Sequence, residues 1–181
     1  MSQNVRDAMI EAAWLLIAER GLEGMATREV LARTGAPRGS VYHHFPRGRT
    51  ELIEAAIEHS IEWMSDQIAL ISPKGPADVV RGYFDIWRRI LEATDFKAGC
   101  AVAGVVIGGN DANMLDRGAV AFAASIDALV GLFARVGVPV AEARQRSTLL
   151  VAAAEGAVLL ARAQRSTGPL IRIADQLANT N

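Results

Sequence analysis

Several things are scarce in this 181-residue chain, and each scarcity removes a class of proteins. Cys100 is the only cysteine, so no internal disulfide framework holds the fold, and a reducing cytoplasm suits it. The three histidines, His43, His44 and His59, form no His-x-x-x-His pair and no carboxylates complete a ligand set, so no metal site is expected. Continuous apolar runs are short: 101–107 ends early and 149–161 is broken by Glu155, below the ~18–20 residues that cross a bilayer. No secretory leader is read at the start, where Arg6 and Asp7 intervene. Gly104–Gly109 is rich in glycine but lacks the Gly-Lys-Ser/Thr of a phosphate loop. With no acid pair, triad or cofactor motif legible, neither an enzyme nor a bound cofactor is expected. The expectation is a soluble, cytoplasmic protein with no membrane partner.

What is present is helical period. Hydrophobic residues make up 51% of the chain and charged residues 22%, a globular balance, and no segment alternates convincingly at period two. Helices are expected at 5–20, 28–34, 38–44, 49–71, 77–94, 98–108, 113–136, 140–166 and 169–179, an all-α protein. Gly21, Gly35-Ala36-Pro37, Phe45-Pro46, Ser72–Pro76, Gly108-Gly109-Asn110, Gly137–Pro139 and Thr167-Gly168-Pro169 supply the breaks. The domains expected are a head at 1–48, a linking helix at 49–72, and a larger body at 73–181.

The net charge of −1 conceals a split: residues 1–50 sum to +2, leaving −3 for the rest. Within Arg28–Arg49 five arginines face one acid, Glu29, the footprint of a polyanion site. Two short helices joined by a glycine-containing turn, behind a longer packing helix, make a helix-turn-helix, whose second helix enters the DNA major groove. That helix is expected to open with Arg38, Gly39 and Ser40. Arg38 forks onto guanine or phosphate, Gly39 allows close approach, and Ser40 bonds to either. Tyr42 and His43 add donors, Thr27 caps the first short helix, Arg28 adds a cation, and Phe45 is expected in the core.

The run from Thr27 to Phe45, with Tyr42, His44 and Phe45 as its most telling part, resembles the TetR-family DNA-binding signature. The likeness extends from Glu19-Arg20-Gly21 to Thr50-Glu51-Leu52. Ala36–Ser40, Phe45-Pro46-x-Gly48 and Gly99-Cys100 are similar to the LmrA/YxaF-like subgroup. Two positions depart from the common pattern: Pro37 replaces a serine before the recognition helix, and Arg49 replaces a phosphate-contacting lysine.

The resemblance implies a double-stranded DNA operator, a homodimer, and a small-molecule effector, apolar or amphipathic, held among the helices at 77–136. Trp63, Phe84, Trp87, Cys100, Met114 and Phe122 are the candidate lining, with Arg81, Arg88, Asn113 or Asp127 as possible polar groups. Cys100 reads as a packing thiol rather than a nucleophile, since the only histidines lie in or near the head. Ala153, Gly156 and Leu160 form a small-residue face, and Leu170, Ile173 and Leu177 an i, i+3, i+7 stripe. Both suit a dimer interface, or internal packing. Repression relieved by effector is the default mechanism, with activation as its variant. The rival is a helical small-molecule-binding protein or enzyme with no role on DNA.

Overall fold

The computed structural model describes residues 2–109 and 111–179, with the side chains of residues 2 and 3 outside that description. Asn110, part of an expected break, lies outside the described residues, as do residues 1, 180 and 181 at the ends of the expected domains. Among the described residues there are nine helices and no strand: α1 (Ser2–Gly24), α2 (Thr27–Thr34), α3 (Ser40–His44), α4 (Arg49–Ala69), α5 (Pro76–Ala93), α6 (Ala101–Gly108), α7 (Ala112–Arg135), α8 (Val140–Gln164) and α9 (Gly168–Ala178). The breaks fall where glycine and proline put them. Gly21 breaks the helical path of α1 as expected, at φ 74° and ψ 179°, and a last short helical piece runs on to Gly24 beyond the kink.

The chain divides into two compact units, residues 1–62 with 101–121 and residues 63–100 with 122–181, so the division falls inside α4 and α7. The sequence suggested consecutive domains. Instead α6 and the first turns of α7 join the N-terminal head.

In the first unit Met9, Ala13, Leu16 and Ile17 of α1 close over Met25, Val30, Val41, Phe45 and Leu52, all essentially sealed from water. Each side chain so buried stabilises the fold by roughly 1.5–3 kcal/mol before entropy is counted. α6 lies against α1, and its Gly104 explains the closeness: a Cβ there would stand 3.1 Å from the Ile17 carbonyl oxygen. Cation–π attraction adds an outer contact, with the Arg6 guanidinium 5.3 Å from the Phe45 ring centroid.

The second unit packs α9 on α5 and α8. Val79, Tyr83, Ile86 and Leu91 of α5 face Leu129 and Phe133 of α7 and Leu170 of α9 in one interior. From α8 that interior receives Ala143, Ala154, Ala157 and Ala161, each fully buried. Alanine at those positions lets the helix backbones approach closely. At the head of α5 Pro76 occupies the first turn, and the Lys74 amide donates to Asp78 Oδ2 at 2.9 Å.

α7 has the length and mean hydropathy (1.5) of a membrane span, with 28% of that window buried. Continuous-run counting overlooked it, because alanine, valine and glycine supply the average while charged residues interrupt the run.

Candidate nucleic-acid interface

The turn between α2 and α3 is built from local chemistry. Gly35 takes the left-handed conformation that stops α2 (φ 67°, ψ 11°), where a Cβ would be strained. Thr34 bonds back through Oγ1 to the Val30 carbonyl at 2.9 Å, and the Ala36 amide approaches the same hydroxyl at 3.4 Å. The Ser40 amide then donates to the Pro37 carbonyl at 2.9 Å, and α3 begins. Arg38 and Gly39 therefore precede the helix in the turn, where α3 was expected to open with Arg38. The expected Thr27 cap is also absent: Ala26, extended at φ −95° and ψ 132°, holds the cap position and makes no side-chain bond.

Val30, Val41 and Phe45 pin the two helices to the core, which turns the opposite face outward. On that face Arg28, Arg38, Gly39, Tyr42 and His43 are exposed, while Thr27 and Ser40 are half-buried. Tyr42 is 72% exposed. Its ring edge lies close to Gly48, where a Cβ would stand 3.3 Å from Tyr42 Cε1, and the rest of the phenol is available to another molecule.

The five arginines of the basic stretch separate into two kinds. Arg33 grips Glu19, with Nη2–Oε2 at 2.5 Å. Arg47 reaches Glu54 at 2.5 Å. Arg49, expected at a phosphate, instead donates from Nε to the Met25 carbonyl at 3.1 Å and from Nη2 to the Leu22 carbonyl at 2.6 Å. Those carbonyls lie at and just past the end of α1, beyond the break at Gly21, and the Leu22 oxygen also accepts from the Met25 amide at 3.3 Å. Glu29, the one acid of the stretch, is held by Arg20. Among the described residues Arg28 and Arg38 alone of the five make no hydrogen bond or ion pair, and both stand exposed, Arg28 in the first turn of α2 and Arg38 in the α2–α3 turn.

The candidate effector residues do not all meet. Phe84 and Trp87 are buried in the second unit, with Trp63, Cys100 and Phe122 packed against the same interior. Met114 belongs to the first unit and lies near Gly109 there. The suggested polar groups are engaged elsewhere: Arg88 with Asp85 and Glu92, Asp127 with Arg144, and Asn113 with Glu54. Arg81 is exposed.

Other polar groups, not singled out in the sequence, lie in or against the interior of the second unit. Tyr83, sealed from water, meets Trp87 edge-on at 6.5 Å between ring centroids, and the buried Trp87 Nε1–H has no acceptor in bonding geometry. Burial raises the Tyr83 phenol above its ordinary value. Glu155 of α8 is largely withdrawn from water. Burial pushes its carboxyl up to about 7, partly offset by a hydrogen bond from the Cys100 thiol. The signal was the acid that interrupts the apolar run 149–161.

The Gly99-Cys100 pair also gains a reason. Arg162 donates to the Lys97 carbonyl at 2.7 Å, and a Cβ on Gly99 would stand 2.8 Å from Arg162 Nη1.

On the outer face of α8, Leu149, Gly156, Leu159 and Leu160 are exposed, as is Ile171 on α9. Gly156 and Leu160 are therefore open to a second chain. Ala153 is half-buried against its own core, and Leu170 is 1% exposed. Ile173 and Leu177 pack on the same interior, so the Leu170 stripe is the inward face of α9 within one chain. The apolar stripe was expected at an interface because periodicity marks an apolar face without saying which neighbour covers it.

A two-helix motif on a sealed three-helix base, with a cationic outer face, defines a helix-turn-helix DNA-binding protein. Residues 9–56 match the family of bacterial regulatory proteins called tetR, and residues 76–176 match the C-terminal domain of LmrA/YxaF-like transcriptional regulators. An uncharacterised HTH-type transcriptional regulator of Mycobacterium tuberculosis (strain H37Rv) is 36% identical over 184 residues, spanning 98% of this chain and 94% of its own. A TetR transcriptional regulator from Chloroflexus aurantiacus superposes with a TM-score of 0.78 at 25% identity, covering 98% of this chain and 93% of that one. A TetR-family regulator from Agrobacterium tumefaciens reaches 0.83 at 20% identity, covering 98% and 97%, and speaks for the fold alone. The chain belongs to the TetR family of transcriptional regulators, in its LmrA/YxaF-like group.

Proposed function

We propose that this regulator is a homodimeric repressor that a small, mostly apolar effector releases from its operator. The observation that carries the reading is the pair of unpartnered, exposed cations, Arg28 in the first turn of α2 and Arg38 in the α2–α3 turn, while their neighbours are bonded internally. A cation left in water beside a helix-turn-helix is available to phosphate or a guanine edge at little desolvation cost. Thr27, Gly39, Ser40, Tyr42 and His43 complete the proposed contact surface, and two copies would present it to operator half-sites about 34–36 Å apart or a multiple of that. The outer face of α8, with Gly156 and Leu160, is the proposed dimer surface. The interior around Trp63, Phe84, Trp87, Cys100 and Phe122 is the proposed effector site, with Glu155 and Trp87 Nε1 as its polar groups. An effector that fits the released conformation better lowers operator affinity by its differential affinity, typically ~1–3 kcal/mol.

The test is binding to a duplex selected by the protein from a random-sequence library. Arg38→Ala should weaken that binding by roughly 1–3 kcal/mol and leave the thermal melt in place. Wild-type affinity in Arg38→Ala at fixed salt would remove the cation from the contact surface. Compounds that raise the melting temperature in a library screen should also lower operator affinity; hits that bind equally well with and without operator would detach the site from the switch.

A further inference from the structure

Glu54 is the only buried charged residue among those described, 5% exposed in α4. A carboxylate in that position is costly unless its oxygens are met by donors. Three residues from two directions meet it. From the turn after α3, Arg47 places Nη2 2.5 Å from Oε2 and Nη1 3.3 Å from Oε1. From the first turns of α7, Asn113 Nδ2 lies 3.3 Å from Oε1 and Arg117 Nη2 3.4 Å from Oε2. All of these residues belong to the first unit.

The two ends are held individually as well. The Arg47 amide donates to Glu51 at 2.9 Å, so the turn is fixed to α4 through backbone and side chain. Arg117 Nη1 reaches Glu58 at 3.2 Å, one helical turn along α4 from Glu54, while its buried Nε has no partner. Arg47 holds the Glu54 carboxyl below its ordinary range, and Arg117 and Asn113 act in the same direction, so the hub stays ionised at neutral pH.

We propose that Glu54 is a positioning residue for operator binding. It ties the first turns of α7 to the turn behind the recognition helix, so the placement of α7 sets how α3 is presented. The arrangement has the form of a two-ended linkage. Phe45 and Gly48 connect α3 to α4 by backbone bonds, with the Gly48 amide 2.7 Å from the Phe45 carbonyl, and Arg47 sits between them. A shift of Asn113 and Arg117 redistributes the bonds on Glu54 and loosens or tightens Arg47. α7 itself runs on as one helix into the second unit, to Arg135. The inference rests on the proposed operator surface, and it adds a route by which residues that touch no DNA govern affinity.

The experiment is a double-mutant cycle on the full-length protein, read as affinity for the duplex selected by the wild type, at fixed salt and below the melt of every variant. Arg117→Gln should weaken binding about tenfold and Asn113→Ala about threefold, with Arg117→Lys close to wild type. In a Glu54→Gln background Arg117→Gln should add less than twofold. The slope of log affinity on log salt should stay at the wild-type value in Arg117→Gln, because no phosphate contact is lost, and fall by about one in Arg38→Ala. If Arg117→Gln fails to fold, Asn113→Ala and Arg117→Lys carry the test alone: weakening in the first with none in the second supports the linkage. Full additivity with Glu54→Gln, or wild-type affinity in Arg117→Gln and Asn113→Ala while Arg38→Ala loses binding, overturns the role of Glu54 and leaves the operator surface standing. Wild-type affinity in Arg38→Ala as well would mean that the operator surface itself is misplaced.

Discussion

Arg33, Arg47 and Arg49 in the first unit each end on a carboxylate or carbonyl oxygen, whereas Glu155 and Trp87 in the second are turned inward without an ionic partner. Ser147, fully buried on α8, likewise has no partner for its hydroxyl. In the first unit charges fasten helices together, and of the five arginines in the basic stretch only Arg28 and Arg38 are left without a partner. The second leaves polar groups inside an alanine- and leucine-lined interior, where each costs about 1–3 kcal/mol if nothing meets it. A fold keeps such a cost where a bound molecule can offset it, and buried polar groups with perturbed titration cluster at functional sites. The contrast is what the proposed division between an operator surface and an effector site would require.

The largest expected effect lies in that interior. The Glu155 carboxyl is raised from 4.5 to about 7, mainly by burial. Below about 4.5 it is protonated whether the chain is folded or unfolded, and the fold keeps its full stability. Between about 4.5 and about 7 the unfolded chain loses the proton while the folded chain retains it, so stability falls as pH rises, and above about 7 the loss is complete. The total is up to roughly 3 kcal/mol. Urea denaturation at pH 5 and pH 8 should show this decline in the wild type and its removal in Glu155→Gln. A variant with the same pH dependence as the wild type would place the carboxyl in water and break the contrast between the units.

The second unit also carries an exposed apolar helix face on α8, with Leu149, Leu159 and Leu160. Gly156 has open space around it within its own chain, so Gly156→Leu should leave the protomer's fold intact. If two copies meet on α8, the same substitution overpacks their junction and weakens the dimer by roughly 1–3 kcal/mol. Sedimentation at micromolar concentration should show wild-type dimers and a shift toward protomers in the variant. Wild-type protomers under those conditions would move the interface elsewhere or remove it.

How much of this was readable from the sequence follows the range of the interactions. The helix-turn-helix was legible because its signals are local: Gly35 for a left-handed stop, Pro37 for a break, and the apolar spacing of Val30, Val41 and Phe45 for the inner face. The assignment of α6 was not, since Ala101–Ile107 is apolar on every side and shows no preferred neighbour until Gly104 is seen against Ile17. α8 is apolar inside and out, so Ala153 could not be told from Gly156, nor the inward stripe of α9 from an interface. Which arginines remain free was also hidden, because Glu19 lies fourteen residues from Arg33 and Arg47 finds Glu54 only once α4 has formed.

That last distinction yields the smallest expected effect and the finest test of the comparison. Arg33 and Arg38 stand five positions apart and carry the same charge, and a count of basic residues treats them alike. Arg33 is bonded at two points to Glu19, with its side chain one-third exposed. A pair so placed contributes about 0.2–1 kcal/mol to stability. Arg33→Ala should therefore lower stability within that range and leave the salt slope of operator binding where it was, since its cation was already neutralised. Arg38→Ala should do the reverse, lowering the slope by about one while the denaturation midpoint stays. Denaturation curves and salt titrations on the two variants give four numbers. If Arg33→Ala shifts the slope as much as Arg38→Ala does, Glu19 releases its partner when DNA arrives, and the line between fastening and reading cations would have to be redrawn inside the head.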